Sequence, residues 1–102
     1  MQEWSHEIFD KVLKENKTTL LYIYTPLCGT CQVASKMLSV TAEFFPELPI
    51  GKIELNYAPQ LAEQWEIESV PCLLIFQEEK LVEKIYAFHS VPYLFNLVKK
   101  IV

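Results

Sequence analysis

The chain has 102 residues, thirteen acidic and nine basic side chains, a formal net charge of −4 and no arginine. That length fits one domain spanning residues 1–102. An acidic chain without a guanidinium has neither the basic face that nucleic acid requires nor a bidentate clamp for phosphate, so no nucleic-acid partner is expected.

The chain opens on Met1-Gln2-Glu3-Trp4, a candidate short edge strand, in a stretch too acidic and polar for an export leader. No apolar run is long enough to cross a bilayer. A cytoplasmic location with no membrane partner is therefore expected, and a monomer. Ser5 is a suitable N-cap, and Ile8, Phe9, Val12 and Leu13 follow helical spacing. Trp4 and Phe9 occupy the two positions of a hydrophobic staple, and Asn16 is the expected stop.

Leu20–Tyr24 is an uninterrupted β-prone apolar run, the pattern of a strand buried on both faces. Thr25 and Pro26 end it, and Cys28-Gly29-Thr30-Cys31 follows at the start of a helix expected from about Thr30 to Phe45. A cysteine at a helix N-terminus lies beside unpaired N–H groups and the positive end of the dipole, which favour thiolate over thiol. Cys28 is therefore the expected nucleophile and Cys31, one turn behind, the resolving thiol. A zinc site needs a second close Cys or His pair, which Cys72, His6 and His89 do not supply. The helix is apolar along two stripes, Ala34-Leu38-Phe45 and Val33-Met37-Val40-Phe44, so it is expected to be largely covered.

Ile50–Leu55 reads as a strand with Lys52 and Glu54 on one face. A turn and short helix follow over Asn56–Trp65. Ile67–Val70 leads to Pro71 and a second apolar strand, Cys72–Phe76. Glu78-Glu79 is a turn, and Leu81–Tyr86 is the hairpin partner. Ser90 caps a last helix with Leu94, Leu97, Val98 and Ile101 inward. Alternating strands and helices closed by a hairpin give an α/β fold: a mixed sheet of four to five strands with helices on both faces.

The Leu20–Tyr24 strand, the Cys28-Gly29-Thr30-Cys31 motif at a helix start and the downstream Val70-Pro71 together resemble the thioredoxin superfamily, most closely the small single-domain proteins of bacteria. The likeness covers almost the whole chain. It implies a thiol–disulfide oxidoreductase acting on protein or small disulfides, reduced in turn by a reductase or low-molecular-weight thiols. The redox-active Cys28–Cys31 pair would need no cofactor. It further implies that Pro71 is cis and lies against the cysteines, and that Val70 offers its backbone to an extended substrate.

The departures from the family pattern define further candidates. Tyr22 stands where thioredoxins have a buried Asp thought to help deprotonate the resolving cysteine. Lys52, matching the lysine that pairs with that Asp, lacks its partner. Glu54 is expected to form a surface pair with Lys52, with substitution for the missing acid as the sharper alternative. Leu27 replaces a Trp beside the first cysteine, Ala87 replaces a groove-lining Gly, and Thr30 replaces a Pro, its hydroxyl either adding a hydrogen bond to the Cys28 thiolate or facing water. Cys72 reads as an inert core thiol. Two rival functions remain: a metal-binding or metal-delivery protein using Cys28, Cys31 and Cys72, and a non-catalytic peptide-binding module.

Overall fold

The computed structural model describes residues 1–102. Five strands form one sheet: β1 (Gln2–Glu3), β2 (Thr18–Tyr24), β3 (Ile50–Glu54), β4 (Cys72–Gln77) and β5 (Lys80–Ile85). Their order is β1-β3-β2-β4-β5. β1 and β2 run parallel to β3, β4 is antiparallel to β2, and β5 returns antiparallel to β4. Four helices flank the sheet: α1 (His6–Glu15), α2 (Gly29–Glu43), α3 (Gln60–Gln64) and α4 (Val91–Ile101), with a 3-10 turn at Leu55–Tyr57.

The apolar alternation of β2 explains the two layers. Leu21 and Ile23 face one side, where Phe9 and Leu13 of α1 and Leu61 of α3 pack with Ile53, Leu74 and Phe76. Leu20 and Tyr22 face the other, where Ala34 and Leu38 of α2 and Leu94 and Val98 of α4 close over Ile50, Leu73 and Ile75. Both faces of β2 and β4 are thereby dry, which is why both strands read as continuous apolar runs.

Local signals place the ends. Ser5 accepts a hydrogen bond from the Ile8 amide at 3.1 Å, and Ser90 accepts one from Tyr93 at 3.2 Å. Trp4 stacks on Phe9 with ring centroids 6.5 Å apart. The Trp4 indole also lies on Gly51, where a Cβ would collide with it. β2 starts at Thr18, two residues before the apolar run, because its ladder with β4 extends to the Thr18–Gln77 pair.

Two expectations of burial are corrected. Helix α2 is not covered over its full arc: Val33, Val40 and Phe44 are exposed, while Cys31, Ala34, Leu38 and Thr41 are buried. One sheet and one neighbouring helix cover only a single stripe of α2. Ile8, placed on the inner face of α1 by its spacing, is likewise exposed. No helix is long and apolar enough to cross a membrane.

Candidate active site

The central strand delivers the cysteines. β2 ends at Tyr24, the chain turns through Thr25–Leu27, and Cys28 becomes the N-cap of α2. Cys28 and Cys31 form a disulfide with Cα atoms 5.2 Å apart. The Cys28 sulfur accepts a hydrogen bond from the Cys31 amide at 3.1 Å, and the Thr30 hydroxyl lies 3.4 Å away. Once the disulfide opens, both groups face a sulfur that can carry negative charge. The two cysteines differ in access: Cys31 is 3% exposed, whereas Cys28 is only half-buried.

The Val70–Pro71 peptide bond is cis. It brings the Val70 carbonyl to 3.9 Å from the Cys28 sulfur. The approach follows from the sheet. Ile23 of β2 pairs with Cys72 of β4, so the end of one central strand and the start of the other are neighbours. Pro71, Ala87, Thr30, Val33 and Met37 line a shallow groove of about 450 Å³ next to the disulfide. Leu27, the residue before Cys28, is 99% exposed and does not line the groove. Gly29 has open space around its Cα, so its part in the motif is not to relieve crowding.

Behind Cys31 lies a second recess of about 420 Å³, lined by Tyr22, Tyr24, Ser35, Lys36 and Lys52. Tyr22 is buried, and its hydroxyl donates to the Cys31 carbonyl at 2.6 Å. Burial pushes its pKa up to about 12, so it is neutral at physiological pH and cannot serve as a base. This backbone anchor was not visible in the sequence, where Tyr22 registered only as a missing acid.

The expected Lys52–Glu54 surface pair does not form. Lys52 lies 4.0 Å from Glu3 of β1 and 5.5 Å from the centre of the Tyr24 ring. Glu54 is buried and accepts from the Asn56 side chain at 3.2 Å. The reason is the edge strand: β1 pairs Glu3 with Lys52, which puts a carboxylate nearer than the one two residues along β3. Glu54 is not among the residues lining the recess behind Cys31, and its carboxylate is engaged by Asn56.

Cys72 is fully buried in the α1-side layer, and burial raises its pKa to about 12. This burial fits the inert core thiol expected of Cys72 and not the alternative of a third metal ligand beside Cys28 and Cys31. His89 is exposed in the left-handed region, φ 58°, just before the cap of α4.

A disulfide at the head of a helix, with its half-exposed sulfur facing the Val70 carbonyl, is the apparatus of a thiol–disulfide oxidoreductase. Comparison with known proteins agrees. The chain belongs to the thioredoxin family, whose description, Thioredoxin, matches residues 1–100. It is 48% identical over 100 residues to thioredoxin-like protein YusE of Bacillus subtilis, covering 98% of this chain and 92% of that protein. It is 31% identical over 80 residues to putative thioredoxin 2 of Streptomyces coelicolor, covering 78% of this chain and 60% of that protein. Its fold matches oxidized mitochondrial thioredoxin 3 of Saccharomyces cerevisiae with a TM-score of 0.85 at 19% identity, over 98% of this chain and 94% of that one.

Proposed function

We propose that this oxidoreductase works as a protein disulfide reductase, with Cys28 as nucleophile and Cys31 as resolving thiol. The observation that carries the assignment is the asymmetry of the pair: the half-buried Cys28 sulfur faces the Val70 carbonyl at 3.9 Å, while Cys31 is 3% exposed. An incoming disulfide meets Cys28 first.

In the reduced protein the Cys28 thiolate attacks one sulfur of a substrate disulfide. A Cys28–substrate S–S bond forms, the substrate bond breaks, and the departing thiolate takes up a proton. The Cys31 thiolate then attacks the Cys28 sulfur. The internal disulfide closes, and the second substrate thiolate leaves and is protonated. Two electrons pass to the substrate, and a reductase or small thiol restores them. The N–H of Cys31 and the hydroxyl of Thr30 stabilise the thiolate of Cys28. The backbone of Val70 holds an extended substrate segment beside Pro71, with Ala87 lining the groove and Leu27 exposed next to Cys28. Tyr22 fixes the backbone of Cys31, and Lys52 edges the recess behind it. The exchange chemistry lies in the two sulfurs and calls for no metal or organic cofactor. The acidic charge and short chain support a monomer acting on proteins in the cytoplasm, without nucleic-acid or membrane partners.

The test is to replace Cys31 by Ser. The variant should accumulate a mixed disulfide on Cys28 when given a protein disulfide, read by mass, whereas Cys28→Ser should trap nothing. A pure peptide-binding module would bind with either variant and trap with neither. The reduction potential then sets direction: a value well below the cytosolic glutathione poise supports a reductase, and one well above it supports an oxidant or isomerase.

A further inference from the structure

We propose that Lys84 and Tyr86 of the β5 segment are positioning residues for substrate docking. They pin the Trp65–Glu68 turn, which leads directly to Val70. This rests on the reading of Val70 as the docking backbone.

The turn closes on itself through the Ile67 amide, which donates to Ala62 O at 2.9 Å, and takes a second hold from outside. Helix α3 is short and ends at Gln64, and Glu66 takes a φ of 52°, a left-handed conformation that L residues rarely adopt. Leu61 O and Ala62 O accept from the Trp65 and Ile67 amides, and the carbonyls of Trp65 and Glu66 lie beyond the last helical turn. The ammonium of Lys84 donates to Glu66 O at 2.9 Å and Trp65 O at 3.3 Å. A cation at a helix C-terminus also opposes the negative end of its dipole.

Two residues along the chain, Tyr86 completes the clamp. Its hydroxyl accepts from the Glu68 amide at 3.1 Å and donates to Glu66 O at 3.5 Å. Lys84 forms no ion pair, although Glu83 adjoins it in sequence; its charge faces backbone carbonyls. Two side chains thus hold Trp65, Glu66 and Glu68, and Val70 lies two residues beyond the last hydrogen bond. Below it, Ile67 is buried in the core, which fixes the turn from the other side. Loss of the clamp frees Glu66–Ser69, and Val70 then no longer presents its backbone in one register to a peptide.

The experiment compares two substrates with the pre-reduced protein in single turnover. One is an extended disulfide-linked peptide, which uses the Val70 backbone. The other is hydroxyethyl disulfide, which has no backbone to dock. Wild type should prefer the peptide. Lys84→Met and Tyr86→Phe should each lower that preference about fivefold, the size of one hydrogen bond of roughly 1 kcal/mol. The loss should fall on the half-saturating concentration and not on the limiting rate, and Lys84→Arg should restore most of it. Amide exchange of Glu68 should quicken in Tyr86→Phe. If wild type shows no preference for the peptide, the docking reading itself fails. If wild type prefers it and both variants keep the full preference, or lose both substrates in parallel, the positioning role is overturned.

Discussion

The Tyr22 hydroxyl donates a 2.6 Å hydrogen bond to the Cys31 carbonyl, tying the buried half of the redox pair to the middle strand of the sheet. The tie runs through the backbone of Cys31 and leaves its sulfur free to react. Tyr22→Phe keeps the ring and its packing against Tyr24 and Phe88 and removes only this bond. The oxidised variant should lose about 0.5–1.5 kcal/mol of stability in urea unfolding. An unchanged midpoint would mean that the bond adds nothing net.

Stability should be level through neutrality and fall at alkaline pH. Burial raises Cys72 from an ordinary 9.0 to about 12 and Tyr22 from 10.0 to about 12. Tyr24 is raised too, by burial and by its hydrogen bond to Glu3. All three hold their protons more tightly in the folded chain, so the unfolded chain deprotonates first as pH rises. Stability is therefore full below about 9 and is lost progressively between about 9 and 12. Urea midpoints across that range check the sign, and Tyr22→Phe should flatten the upper part of the curve.

Cys72 should be chemically silent in the folded protein. It is fully buried and its thiol is pushed toward the neutral form. The oxidised native protein should take up no alkylating agent at pH 8, and one equivalent in denaturant, counted by mass. Uptake in the native state would show that the β4 end opens far more readily than its burial implies.

Gly51→Ala should be among the costlier single changes. The added methyl meets the Trp4 indole, itself held between Gly51 and Phe9. Overpacking of this kind costs about 1–3 kcal/mol. Urea unfolding measures the loss, and the fluorescence of Trp4 should shift as its ring is displaced.

Thr30→Val should weaken the thiolate of Cys28 in the reduced protein. The hydroxyl lies 3.4 Å from that sulfur and stabilises its anion. Loss of one hydrogen bond of roughly 1 kcal/mol should slow alkylation of Cys28 at neutral pH about fivefold. The pH dependence of Cys28 alkylation reads it directly.

The parts of the site that lie on regular elements were legible in the sequence. An apolar run ending in Thr25-Pro26 announces a buried strand, and a cysteine pair at the following helix start announces its chemistry. Cross-element relationships were not legible. Nothing in the sequence says that Glu3, at the sheet edge, reaches Lys52 before Glu54 does, because that depends on the parallel register of β1. The apolar residues of α2 set an arc, yet the number of elements packed on that arc left Val33, Val40 and Phe44 in solvent. Lys84 and Tyr86 read only as hairpin residues, since their partners are backbone atoms nearly twenty positions away (separations of 18 to 20).

The Ile23–Cys72 pairing joins the cysteine turn to the proline turn across the middle of the sheet. During synthesis the ribosome releases Cys28 and Cys31 long before β4. Until Gln77 has emerged, β2 lacks its antiparallel neighbour, and the cysteines lie on a nascent chain with no groove beside them. Long-range pairing of this kind forms late. The growing polypeptide therefore carries its cysteine pair before the Val70–Pro71 turn that stands beside it in the fold, and the site is whole only when translation has delivered the second half of the chain.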